Sequence, residues 1–223
     1  MRVAVESNRG VTLVGGGVVA QADLAAALSL APVLVAADGG ANRLAGWGHV
    51  PARVIGDLDS LDPELRDRLS SRVLHVAEQD STDFDKCLQR IAAPFILALG
   101  FDGARLDHTL AALHSLVAHG RARVVMQAAE DICFLAPPRM VLSLPPGARV
   151  SLFPVAHVTG RSEGLHWPID GLDFAPDTRI GTSNRAIGGP VVLEFERPGM
   201  LVLLERAHLR QVLDVVQAVP DWR

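Results

Sequence analysis

The chain has 223 residues, 49% of them hydrophobic, with a formal net charge of −4. That is enough apolar material for one large domain or two small ones, yet no apolar run reaches the roughly 20 residues of a membrane span and no basic-then-apolar leader pattern is present. The acidic balance, the lack of a basic tract and the absence of tyrosine argue against a general nucleic-acid surface, and two distant cysteines, Cys87 and Cys133, suit neither a disulfide framework nor a zinc site, so a cytoplasmic setting is expected.

Met1–Gly10 carries no motif. Val11–Val14 reads as a β-branched strand ending in Gly15-Gly16-Gly17. Asp23–Leu30 is Ala- and Leu-rich and helical. Pro32–Ala37 is a strand running into Asp38-Gly39-Gly40-Ala41-Asn42. Arg53–Gly56 is a strand followed by Asp57-Leu58-Asp59-Ser60, and Pro63–Leu69 is a short helix. Arg72–Val76 is a strand leading to Glu78-Gln79-Asp80-Ser81-Thr82-Asp83, after which Phe84–Ile91 is helical. Pro94–Leu99 is a strand, Leu106–Ala118 a helix and Ala122–Met126 another strand. This alternation predicts a mostly parallel, Rossmann-like sheet covered on both faces over residues 1–130.

The pattern changes near Ala129–Pro138. Met140–Leu144, Val150–Pro154, Val191–Phe195 and Leu201–Leu204 are short β-like runs separated by Pro/Gly turns, which predicts an all-β sandwich or barrel over 131–206. In the tail, 207–223, Leu209, Val212, Leu213 and Val216 recur at helical spacing, so an amphipathic helix over Ala207–Val219 is expected.

The acids carry the chemistry. Asp57 and Asp59 lie two residues apart at the end of an apolar run, and alternate residues of an extended strand share a side, so their carboxylates are expected to converge. Converging carboxylates repel unless a hard cation such as Mg²⁺, or an arginine, sits between them. Gly15–Gly17, Asp38, Asp57/Asp59, Asp80/Asp83 and Asp102/Asp107 all follow predicted strands, and in a parallel sheet the carboxyl ends of the strands border one crevice. A carboxylate-rich crevice beside a glycine loop suits a Mg²⁺–nucleotide better than a bare anion, because the cation reverses the sign of the field. Each piece also has a plain structural reading. The glycines suit a tight turn, Asp38 a helix cap, Asp80–Asp83 the cap of the next helix, and Arg105–Asp107 a surface ion pair. Lys86 is the sole lysine and follows no Gly-x-x-x-x-Gly segment, which excludes a Walker A loop.

Ala37-Asp38-Gly39-Gly40-Ala41-Asn42, then Pro51 and Ile55-Gly56-Asp57-Leu58-Asp59-Ser60, resemble the thiamine pyrophosphokinase family. Gln79-Asp80-Ser81-Thr82-Asp83-Phe84-Asp85-Lys86, Arg105-Leu106-Asp107-His108, Gly164-Leu165-x-Trp167 and Thr182-Ser183-Asn184 resemble its later segments, in order. The resemblance implies an α/β domain, a β-sandwich domain and a homodimer with thiamine near the subunit interface. It implies transfer of pyrophosphate from ATP to the hydroxyethyl group of thiamine, giving thiamine diphosphate and AMP. Mg²⁺ would be held at Asp57, Asp59 and Asp83. Gly16, Asp38, Asn42, Gln79, Asp80, Thr82, Lys86 and Arg105 would meet the Mg-nucleotide. Trp167, Ser183 and Asn184 would meet thiamine, whose cationic, flat ring system suits a tryptophan face. Asp83 or Asp107 would accept the hydroxyl proton.

Three positions depart from the family pattern: Glu78 and Ala104 replace an Asp and a Gly, and Arg185 stands where Glu is usual. A pyrophosphokinase for another alcohol, such as a pterin, and a non-catalytic ligand sensor are the alternative readings.

Overall fold

The computed structural model describes residues 3–103 and 105–218. Ala104, Val219 and Trp222, named above or in the expected tail, lie outside them. The chain divides into two units, Met1–Ser115 and Leu116–Arg223.

In the first unit the strands are β1 (Val5–Glu6), β2 (Val11–Val14), β3 (Val33–Ala37), β4 (Arg53–Gly56), β5 (Val73–His75), β6 (Ile91–Ala92) and β7 (Ile96–Leu99). The helices are α1 (Gln21–Leu30), α2 (Gly40–Gly46), α3 (Pro63–Arg68), α4 (Asp83–Leu88) and α5 (Leu106–Ala118), the last of which runs past Ser115. Among the described residues every strand ladder of this unit is parallel: β1–β6, β2–β7 and β3–β4–β5. β2 also lies beside β3. The strands are buried on both faces and read as near-continuous apolar runs, as parallel strands under helices require. The carboxyl ends of β2, β3, β4 and β7 therefore line one edge.

One expectation here is corrected. The helix over Phe84–Ile91 ends at Leu88, because Ile91–Ala92 instead pairs with Val5–Glu6. After Asp38-Gly39, read from sequence as a helix cap, Gly40–Gly46 is a helix packed on β3.

In the second unit every described ladder is antiparallel. One sheet contains β8 (Val124–Gln127), β9 (Asp131–Leu135), β11 (Arg149–Pro154), β14 (Gly181–Arg185) and β16 (Met200–Glu205) in the order β14-β11-β16-β9-β8. The other contains β10 (Arg139–Leu144), β12 (Val158–Glu163), β13 (Asp173–Phe174) and β15 (Gly189–Phe195) in the order β10-β15-β12-β13. β10 shows the half-buried alternation of such a strand, with Met140, Leu142 and Leu144 inside. Helix α6 (Leu209–Ala218) packs against β10 and buries Val212, Leu213 and Val216. Both cysteines are free and buried.

Candidate active site

A cleft of about 590 Å³ opens at the strand ends of the first unit. It is lined by the glycine loop, by Asp38, Asp57, Asp59, Asp83 and Lys86, and by Phe101, Asp102, Arg105 and His108 from beyond β7. The glycine loop is tight because the chain after β7 packs on it. Gly15 N donates to Leu99 O at 2.8 Å and Gly17 N to Gly100 O at 2.9 Å, and a Cβ on Gly17 would sit 2.7 Å from the carbonyl oxygens of Gly100 and Asp102. Only Gly16 of the three faces open space.

The two acids after β4 do converge, but not through strand alternation. The strand stops at Gly56, and Leu58 takes a left-handed backbone, φ 68°, that turns its side chain into the core. A bulky residue in that region is strained, and such strain concentrates at functional sites. Asp59 N donates to Asp57 Oδ1 at 3.4 Å across the turn. Asp38, also left-handed at φ 39°, comes in from the end of β3 and accepts from Ser60 N through Oδ2 at 3.1 Å. Oxygens of Asp38, Asp57 and Asp59 lie within 4.8 Å of one another. The approach of Asp38 leaves no room at Gly56, where a Cβ would fall 2.8 Å from that of Asp38 and 3.0 Å from Asp83 Oδ1.

Asp38 Oδ1 is buried with no hydrogen-bond partner. Burial, opposed by the Ser60 amide and reinforced by Asp83, Asp59 and Asp57, raises its pKa from 3.8 to about 6. An orphaned carboxylate oxygen beside two further carboxylates is unfavourable alone and fits a hard divalent cation with oxygen ligands. Asp38, which the resemblance places against the nucleotide, thus lies with Asp57 and Asp59, and Asp83 is tied next to them. Asp83 Oδ1 accepts from Asp57 N at 3.3 Å and from Lys86 Nζ at 3.2 Å.

Lys86 comes from the middle of α4 with its side chain 1% exposed, and also donates to Asp57 Oδ2 at 2.8 Å. The Lys86 bond holds the Asp57 pKa below the usual carboxylate range, whereas burial raises that of Asp83. Burial alone would depress Lys86, but the bonds to Asp57 and Asp83 outweigh it and raise its pKa. Lys86 is a buried counter-ion of the acids.

The other candidates take varied places. Gln79 donates to Asp57 Oδ2 at 3.3 Å. Thr82 lines the cleft as the N-cap of α4, in a capping box with Asp85. Asp80 is exposed, and its amide is held by Glu78. Asn42 clasps the acid-bearing loop, donating to Ser60 O at 2.8 Å and accepting from Asp62 N at 3.0 Å. Arg105 reaches the cleft while gripping Asp107 with two bonds, of 2.6 and 3.2 Å, and both side chains are about two-thirds exposed. Sequence reasoning passed over Ser60, which joins Asp38 to Asp59 through its amide and hydroxyl, and Phe101, which stacks on Phe84 at 4.1 Å.

Residues 24–126 match the family described as "Thiamin pyrophosphokinase, catalytic domain". Over that stretch the chain is similar to the thiamin pyrophosphokinase catalytic domain. Thiamine pyrophosphokinase 2 of Oryza sativa subsp. japonica is 27% identical over 189 residues, covering 69% of this chain and 71% of that protein. Thiamine pyrophosphokinase 1 of Arabidopsis thaliana is 26% identical over 189 residues, with the same coverage. The thiamin pyrophosphokinase structure from Candida albicans shares the fold at a TM-score of 0.74, with 17% identity over 92% of this chain and 93% of that one.

The family match ends at residue 126, early in the second unit, and Trp167, Ser183 and Asn184 gather beyond it. Asn184 is buried and its amide is spent on backbone. Oδ1 accepts from Trp167 N at 3.2 Å and Arg185 N at 2.8 Å, and Nδ2 donates to Trp167 O at 2.7 Å. Asn184 therefore positions Trp167, whose ring is presented outward with the residue 54% exposed. Ser183 sits at φ 63°, and its amide donates to Ser151 Oγ at 3.0 Å.

The Asp38 geometry makes a stability prediction for the metal-free protein. The folded chain holds this proton more tightly than the unfolded chain does, so the Asp38 contribution to stability is full below about pH 4 and is lost as pH rises through about 6, roughly 3 kcal/mol in all. Asp38→Asn removes that charge and can keep the Ser60 bond. Thermal unfolding in chelator is expected to show the variant more stable than the parent above about pH 6 and much closer to it near pH 4. A variant that loses stability equally at both ends contradicts the reading.

Proposed function

We propose that this chain is a thiamine diphosphokinase, transferring the diphosphoryl group of ATP to the hydroxyethyl oxygen of thiamine and releasing AMP. The similarity of residues 24–126 to the thiamin pyrophosphokinase catalytic domain, and of the chain to the plant thiamine pyrophosphokinases, supports the reaction class. The observation that carries the mechanism is the unpartnered, buried Asp38 Oδ1 grouped with Asp57 and Asp59 at the mouth of a cleft floored by a glycine loop.

Asp38, Asp57 and Asp59 would hold Mg²⁺, with Asp83 behind them. Bound there, the ion would neutralise the bridging phosphate oxygens of ATP and turn four repelling carboxylates into a phosphate site. Lys86 fixes Asp57 and Asp83 in place and favours their charged forms. Gly16 gives the phosphates room to approach backbone. Arg105 reaches the triphosphate by exchanging Asp107 for phosphate oxygens, a planar fork suited to either partner.

Of the two candidate bases, Asp83 is favoured. It lines the cleft, which Asp107 does not, and burial raises its pKa. Trp167 would present its face to thiamine. The reading includes a Rossmann-like catalytic domain over 1–130, a thiamine-binding sandwich over 131–206 and a helical tail over 207–223. It also includes a homodimer with thiamine near the subunit interface, and a cytoplasmic setting.

Purified protein with ATP and Mg²⁺ is expected to form AMP only when thiamine is added, in equal amount to thiamine diphosphate. Thiamine-independent AMP, or ADP as the nucleotide product, contradicts the reading.

A further inference from the structure

The second unit carries a feature that the cleft does not explain. Trp167 is the one aromatic among the large exposed hydrophobic residues described, yet its ring is not free. The Arg185 guanidinium carbon lies 5.3 Å from the ring centroid, within cation–π range. Arg185 Nη2 also lies 3.3 Å from His166 Nε2, and since a guanidinium only donates, the imidazole nitrogen accepts. His166 in turn meets the indole edge-on, with centroids 4.4 Å apart and planes at 89°. The backbone is clamped as well. Asn184 holds Trp167 from both sides and takes the Arg185 amide, while His166 N donates to Arg185 O at 2.8 Å. The cation is therefore held over the ring at both its backbone and its tip.

We propose that Arg185 is a specificity-determining residue of the thiamine site, a built-in cation on the Trp167 ring against which cationic thiamine must compete. The proposal rests on the reading of Trp167 as the thiamine platform. A tryptophan face attracts a cation through its ring quadrupole, and a guanidinium already there both covers part of the ring and repels a second positive charge. Arg185 thus weakens binding of the thiazolium form and penalises an uncharged analogue less, because only the covering applies to it.

The test compares the wild type with Arg185→Gln and Arg185→Lys in steady-state assays and in thiamine titrations of the fluorescence that Trp167→Phe removes. Arg185→Gln is expected to lower both the thiamine KM and the fluorescence midpoint about two- to five-fold, the range of an exposed cation–π contact. The KM for ATP should stay where it is. Arg185→Lys keeps the charge and should lie nearer the wild type. A thiamine analogue with a neutral ring in place of the thiazolium should gain less from Arg185→Gln. Thiamine-dependent AMP formation with a thiamine KM unchanged or raised in Arg185→Gln overturns the Arg185 proposal alone. Absence of thiamine-dependent AMP in the wild type overturns the functional reading, and this proposal with it.

Discussion

Replacing Asp59 by Asn is expected to cut turnover by roughly a hundred- to a thousand-fold while leaving the protein folded. Asp59 is exposed at the rim, and its side chain accepts from Ser60 Oγ at 2.8 Å, a bond the amide oxygen of Asn can keep. Its other contact in the acid-bearing turn is made by its backbone amide, which donates to Asp57 and is untouched by the change. What the variant loses is one of three charges converging within 4.8 Å, and with it part of the hold on the cation. Steady-state rates with thermal unfolding on the same preparations check both halves. Near-wild-type turnover would remove Asp59 from the metal site, and a lost unfolding transition would show a structural role instead.

Lys86→Met should produce the largest loss of stability. Methionine fills a similar volume, so little packing is lost, but Asp57 and Asp83 are left facing each other at the edge of the core with their buried counter-ion gone. Removing one partner of a buried ionic network costs about 3–5 kcal/mol, and the partial exposure of the two acids places the effect near the lower end. The sign with pH follows from the acids. Above their pKa values both are charged and the loss is full, and as pH falls and they protonate the loss shrinks. Urea unfolding at neutral and mildly acidic pH measures this. A loss below about 1 kcal/mol at neutral pH contradicts the account of Lys86 as the counter-ion.

What the sequence revealed, and what it hid, follows from the reach of each signal. The first unit was legible because its strands are buried on both sides and its helices are punctuated by caps and prolines. Val11–Val14, Arg53–Gly56 and Leu106–Ala118 fall where their patterns place them. The second unit was half legible. β12 and β14, Val-Thr-Gly-Arg-Ser-Glu and Gly-Thr-Ser-Asn-Arg, carry too few apolar residues to show a period, and β14 lies at the end of its sheet. Their strand state comes from pairing partners distant in the chain, as does that of Ile91–Ala92.

The site followed the same rule. Gathering of the acids at strand ends was readable, because parallel topology dictates it. The close grouping of Asp38 with Asp57 and Asp59 was not. It depends on left-handed turns at Asp38 and Leu58 and on a bond to Ser60, 22 residues away. The role of Asn184 was hidden likewise, since only coordinates show its amide turned to the backbone of Trp167.

The most direct test of the central claim is to follow the phosphorus. ATP labelled in turn at the β and γ positions is incubated with the protein, Mg²⁺ and thiamine, and the products are separated. The account predicts that both labels leave together and appear in thiamine diphosphate, with unlabelled AMP as the other product. Transfer of the γ label alone, with the β label retained in ADP, would contradict diphosphoryl transfer at this site.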